Sequence, residues 1–132
     1  MTGAGSLWSN SGNLYAGYSG ASNTLLINNG GTVASASGYL GYTSVASSNV
    51  VRVIGAGSVW TNDGFLYVGY GGSSSTLVIS NGGTVVNSAG YIGYLTNAIN
   101  NSVIVTGTGS LWNNRSNDLT IGLGGSGNAL LI

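Results

Sequence analysis

The sequence predicts an all-β fold: a single-domain parallel β-helix, or β-solenoid, of about five coils with 26 residues and three short strands each. Three observations lead there. The chain repeats at a step of 52 residues: GAGSLW at Gly3–Trp8 returns as GAGSVW at Gly55–Trp60 and as GTGSLW at Gly107–Trp112, and TLLINNGGTV at Thr24–Val33 returns as TLVISNGGTV at Thr76–Val85. Half that step is kept as well, because the aliphatic pairs Leu25/Ile27, Val51/Val53, Leu77/Ile79 and Val103/Val105 follow one another every 26 residues. Within short runs, apolar residues alternate with period two, and no segment shows helical periodicity. Such a period signals a solenoid, in which each unit buries its apolar face only against its neighbours.

The elements of one coil follow in order. In the middle of the chain its three apolar runs are Val50–Ile54, Ser58–Trp60 and Phe65–Tyr70; the next coil supplies Thr76–Ile79, Thr84–Val86 and Tyr91–Tyr94. Val51 and Val53 point inward with Arg52 outward, and Leu77 and Ile79 point inward with Val78 outward. Gly, Ser and Asn clusters separate the runs and supply the positive-φ positions and local hydrogen bonds of sharp corners. A third landmark, Gly-Tyr, recurs at Gly17-Tyr18, Gly41-Tyr42, Gly69-Tyr70 and Gly93-Tyr94 with steps of 24, 28 and 24. Successive coils therefore share loop length differently among their corners while the total stays constant. Tyr67-Val68-Gly69 is matched 53 positions later by Thr120-Ile121-Gly122, which places one extra residue near Asn113–Asp118, at a corner. The whole of 1–132 is one solenoid domain, with double-coil repeats starting near residues 3, 55 and 107.

Composition narrows the function. Arg52, Arg115, Asp63 and Asp118 are the charged residues, and the sequence has no Lys, Glu, His, Cys or Pro. A net charge of zero removes the basic face that nucleic acid requires and the polybasic route to anionic membranes. No apolar run is long enough to cross a bilayer as a helix. Without His, Cys or Lys there is no triad, dyad or Schiff-base chemistry. Two carboxylates and side-chain amides make a poor transition-metal set. The expectation is a non-enzymatic protein with no catalytic, metal or cofactor-binding residues. GGSGN at Gly124–Asn128 and GYGGSSS at Gly69–Ser75 read as corners, since neither a Lys nor a helix follows.

Columns of like residues remain. Eight tyrosines form four Y-x-G-Y cassettes. Because Ala16, Leu40, Val68 and Ile92 face inward, Tyr15, Tyr39, Tyr67 and Tyr91 should face outward as one column; Tyr18, Tyr42, Tyr70 and Tyr94 lie beyond the glycine, inward or at a corner. An exposed aromatic column could stack on sugar rings, or its rings could simply stack between coils. Trp8, Ala34, Trp60, Val86 and Trp112 read as a packing column alternating large and small. Ser6, Thr32, Ser58, Thr84 and Ser110 read as an outward hydroxyl column, thin support for an ice-binding surface. Asn49 with Asn101, and Asn29 with Asn81, read as corner hydrogen-bond ladders.

VTGTGSLW (Val105–Trp112), DLTIGLGGSG (Asp118–Gly127), LVISNGGTV (Leu77–Val85) and GYIGY (Gly90–Tyr94) resemble the β-helix repeat associated with bacterial autotransporter passengers and PEP-CTERM-type surface proteins. The resemblance implies a right-handed β-helix on the outer surface of a Gram-negative cell, acting as a surface scaffold or adhesin. Met1 stands where Val53 and Val105 stand, and Ile132 where Ile27 and Ile79 stand, as expected of a segment of a longer repeat protein. The resulting expectation is an extracellular structural or adhesive module, with glycans or a host surface as further partners. An uncapped β-helix end is a template for strand addition, so end-to-end self-stacking into fibres is expected, with Met1, Leu130 and Ile132 at the joining ends.

Overall fold

The computed structural model describes residues 1–115 and 117–132. Each coil contributes three strands. Coil 1 holds β1 (Leu7–Ser9), β2 (Leu14–Ala16) and β3 (Thr24–Asn28); coil 2 holds β4 (Thr32–Ser35), β5 (Gly38–Leu40) and β6 (Val50–Ile54). Coil 3 holds β7 (Val59–Asn62), β8 (Leu66–Val68) and β9 (Thr76–Ser80); coil 4 holds β10 (Thr84–Val86), β11 (Gly90–Ile92) and β12 (Ser102–Thr106). Coil 5 ends the stack with β13 (Leu111–Asn113), β14 (Leu119–Ile121) and β15 (Ala129–Leu131). Like strands of successive coils pair in parallel, giving three five-stranded sheets in the orders β1-β4-β7-β10-β13, β2-β5-β8-β11-β14 and β3-β6-β9-β12-β15. This is the expected β-solenoid.

The core lies between the three sheets. Coil 3 fills it with Trp60, Leu66, Val68, Leu77 and Ile79, all fully buried, while Arg52 and Val78 point away as the alternation requires. Corner lengths alternate between odd and even coils. Ile54 pairs with Ser80 before the first corner and Val59 with Thr84 after it, so Gly55–Ser58 in the odd coil does the work of residues 81–83 in the even one. The odd coil is again one residue longer at the second corner, where Leu66 pairs with Gly90. It recovers both at the third corner, where Thr76 pairs with Ser102. Thr84 pairs with Leu111 and Gly90 with Leu119, which places the extra residue of coil 5 at its second corner as expected; Ser116, within that corner, lies outside the described residues.

The extra first-corner residue corrects two columns. It shifts the strand by one, and a one-residue shift exchanges inward and outward side chains. Trp8 pairs with Val33, Val33 with Trp60, Trp60 with Val85 and Val85 with Trp112. The small partners of the tryptophans are therefore Val33 and Val85, not Ala34 and Val86. The hydroxyl column dissolves for the same reason. Thr32 and Thr84 pair with Leu7, Val59 and Leu111. Ser6, Ser58 and Ser110 turn into their corners, where their hydroxyls donate to the carbonyls of Thr2, Ile54 and Thr106 at 2.7–2.8 Å. Among the described residues these five hydroxyls therefore form no continuous face, and this column does not support ice binding.

A second alternation answers the first. In the β2 sheet the inward register reads Leu14, Gly38, Leu66, Gly90, Leu119. Each glycine sits under the tryptophan of the next odd coil: a Cβ on Gly38 would lie 2.6 Å from Trp60 Cζ2, and one on Gly90 2.7 Å from Trp112 Cζ2. The indole nitrogens reach the same even coils, Trp60 Nε1 to Ser35 Oγ at 3.4 Å and Trp112 Nε1 to Asn87 Oδ1 at 2.7 Å. The volume of each indole is thus accommodated by an absent side chain one coil below.

At the third corner, Asn23 donates through both its nitrogens to Asn49 Oδ1 at 2.9 Å, and Asn101 does the same to Asn128 Oδ1 at 2.9 and 3.1 Å. Ser75 N donates to Asn101 Oδ1 at 2.8 Å. Asn49 and Asn101 are therefore ladder members, linked through Asn23, Ser75 and Asn128 rather than to one another. Asn29 and Asn81 serve differently: both adopt left-handed backbone, with φ of 50° and 52°, which Asn tolerates better than most residues.

Overpacking of the indole site gives the first prediction. Gly90→Ala should destabilise the fold by about 1–3 kcal/mol, read as a lower urea midpoint. Gly12→Ala, whose added Cβ would meet nothing nearer than Asn10 Oδ1 at 3.7 Å, should change stability by less than about 0.5 kcal/mol.

Candidate functional site

The four outward tyrosines stack. Tyr15, Tyr39, Tyr67 and Tyr91 form a ladder with ring centroids 4.9–5.0 Å apart and planes within 15° of parallel. Their spacing is that of the strands that carry them, about 4.8 Å. Tyr18, Tyr42, Tyr70 and Tyr94 form a second ladder at 4.9–5.1 Å. The sequence had left these inward or at a corner; they stand at the corner but outward. Gly17, Gly41, Gly69 and Gly93 adopt φ between 68° and 85°, and this left-handed step returns the next residue to the face that the first tyrosine occupies. The two ladders meet edge to face, as in Tyr15–Tyr18 at 5.2 Å and 73° and Tyr67–Tyr70 at 5.1 Å and 89°. Both arrangements suit the aromatic quadrupole.

Because each interior ring is covered on both faces by its neighbours, it presents an edge rather than a plate to solvent. Tyr67 is only 7% exposed. The ladders stop at coil 5, where Thr120 pairs with Tyr91 and Leu123 follows Gly122 as Tyr94 follows Gly93. Burial, followed by the neighbouring phenols, raises the pKa of Tyr39 and Tyr67 above the ordinary tyrosine value; Tyr42 is raised in the same way.

A groove runs beside the second ladder. The long third corners of coils 2 and 4 project, whereas the corner of coil 3 between them is short and glycine-rich. The result is a hollow of about 500 Å³ walled by Thr43, Ser44, Thr96 and Asn97 and bordered by Tyr70 and Gly71. None of its lining residues is charged.

The end coils differ from the middle of the stack. At the N-terminal face a hollow of about 540 Å³ is lined by Trp8, Leu14, Tyr15, Tyr18 and Leu25. At the C-terminal face Val105, Leu111, Trp112, Leu119, Leu130 and Ile132 line one of about 290 Å³. Trp60 is 0% exposed between two even coils, whereas Trp8 is 41% exposed. Met1 lies at the N-terminal face, partly buried against the core, with its amino group donating to Leu26 O at 2.6 Å. Leu130 pairs with Val103 and packs partly buried on the core, and Ile132 is 96% exposed. Together these place the three sequence-derived end residues on the two open faces. Not given by the sequence were the outward direction of the second tyrosine column, the corner groove, and the part played by Gly38 and Gly90. The alternation of Gly with Leu at those last positions was a readable signal.

The charged residues do not assemble into a reactive cluster: Asp63 and Asp118 stand at second corners two coils apart, and no group of three or more His, Cys, Asp or Glu occurs among the described residues. No described helix is long and apolar enough to cross a membrane. No family model matches the chain, and neither a curated protein nor a solved structure shows significant similarity to it.

The tyrosine ladder sets a pH dependence. A phenol whose folded pKa is raised stabilises the fold fully below its unfolded pKa, about 10, and that contribution is lost as pH rises towards the folded value. The thermal midpoint should therefore fall above about pH 10, with the phenols of Tyr39, Tyr42 and Tyr67 ionising later than a free tyrosine does. Tyr67→Phe should reduce the steepness of that fall.

Proposed function

We propose that this chain is a non-enzymatic structural and adhesive β-helix module of a bacterial cell-surface or secreted protein, acting through its length and its end faces. The observation that carries the reading is the contrast between closed middle coils and open end coils: each end leaves apolar side chains and a row of unpaired strand groups exposed. Such an edge is a template for adding strands. The autotransporter-like and PEP-CTERM-like motifs of the repeat support the surface location, and the sparse, dispersed charge fits a scaffold better than a reaction site. Partners in this reading are further solenoid coils, including copies of the chain meeting end to end in fibres.

Glycan binding is a second reading, and the groove beside Tyr70 favours it. The groove is uncharged and lined by hydroxyls, an amide, phenol edges and the apolar Leu95, a mixed polar and apolar lining suited to a neutral sugar. Stacking on the outer column of Tyr15, Tyr39, Tyr67 and Tyr91 is a weaker route, since interior ring faces are occupied.

Sedimentation and electron microscopy test the first reading. The chain should associate end to end at high concentration, and Leu130→Lys should suppress that association by placing a charge on the C-terminal face. A monodisperse monomer at every concentration would contradict end-to-end joining. A glycan-array screen separates the second reading. If Tyr39→Ala and Tyr67→Ala lower stability and no glycan binds the parent, the tyrosines pack rather than recognise; glycan binding lost in a folded variant supports recognition.

A further inference from the structure

The two end faces are of one kind, and this determines what each accepts. Coils 1, 3 and 5 carry Trp in the β1 sheet and Leu in the β2 sheet, while coils 2 and 4 carry Val and Gly at the same registers. Trp60 and Trp112 each lie over the glycine of the preceding even coil. Trp8 has no such coil beneath it and is the most exposed of the three. Both terminal coils are therefore odd.

We infer that each end face is built to receive an even-type coil, one bearing Gly at the Gly38 register and Val at the Val33 register, and not another odd coil. This rests on the reading of the ends as joining surfaces, and it specifies the partner. At an even junction on the N-terminal face, Trp8 lies over a glycine and its indole N–H meets a polar side chain in the manner of Ser35 or Asn87. On the C-terminal face the even coil brings a valine against Trp112, as Val85 already lies on its other side.

Direct head-to-tail contact between two copies creates a different junction. It sets Trp8 beside Trp112 in one sheet and directs the Trp8 indole toward Leu119 where a glycine is needed. In the existing stack even a methyl group at that register would stand 2.6–2.7 Å from an indole carbon. Direct copy-to-copy stacking is consequently a weaker junction than one with an even coil, which confines the association of copies to high concentration.

Fusion to the C-terminus tests this within one molecule, independently of whether separate chains associate. One fusion appends a second copy of Ser80–Val105, an even coil, after Ile132; the other appends Ile54–Ile79, an odd coil. Both have 26 residues and enter in the phase of the repeat. The even fusion should raise the thermal midpoint and protect the appended segment from limited proteolysis. The odd fusion should leave the midpoint unchanged or lower it, with the appended segment cleaved. Trp60→Val within the appended odd copy should recover part of the protection. An odd coil that protects as well as the even one overturns the inference, as does an even coil that remains protease-sensitive. Failure of the parent chain to associate in sedimentation would instead contradict end-to-end joining of copies, leaving the fusion result to decide which coil the face accepts.

Discussion

An indole lying over a residue without a side chain is the constraint on which the rest of this solenoid depends. Trp60 over Gly38 and Trp112 over Gly90 place the largest side chain of one coil in space left by the coil below. Protein interiors are close-packed, so two coils cannot both supply a tryptophan at one register without displacing backbone. The chain resolves this with two coil types. Odd coils carry Trp and Leu, with longer first and second corners; even coils carry Val and Gly, with a longer third corner. Coil length is conserved apart from the one extra residue of coil 5, and the stack advances by one strand spacing per turn.

Much of this was legible in the sequence. Inward pairs such as Val51/Val53 and Leu77/Ile79 have a constant step and strict alternation, so their strands and their direction follow from period alone. The columns were harder. Aligning Ser6, Thr32, Ser58, Thr84 and Ser110 by their preceding glycines assumes equal corners, and the odd corner holds one residue more. That single residue moved the small partners of tryptophan from Ala34 and Val86 to Val33 and Val85, and turned three serines into their corners. The Gly-Tyr steps of 24, 28 and 24 already recorded unequal corners, but the sum over a coil conceals which corner is longer. The direction of the second tyrosine column was hidden for another reason: it depends on a left-handed glycine, and strand alternation does not extend through such a residue.

Function follows from what repetition leaves available. A solenoid of near-identical coils produces columns of like groups. Here the tyrosine columns occupy their own ring faces, and Asn49 and Asn101 spend their amide oxygens on Asn23 and Ser75 at the third corner. The groove between projecting third corners and the two end faces remain open. The end faces combine apolar exposure with unpaired strand edges, both of which the internal coil junctions remove by burial and pairing.

The pairing of tryptophan with glycine is tested most directly by a double-mutant cycle on Gly38 and Trp60. Stabilities of the parent, Gly38→Ala, Trp60→Val and the double variant, measured by urea unfolding, give the coupling. The cost of Gly38→Ala should fall by at least about 1 kcal/mol when Trp60 is already valine, because the added methyl then enters vacated space. A cost equal in both backgrounds to within about 0.3–0.5 kcal/mol would show that the two positions act independently, and would contradict the alternation as the organising constraint of the fold.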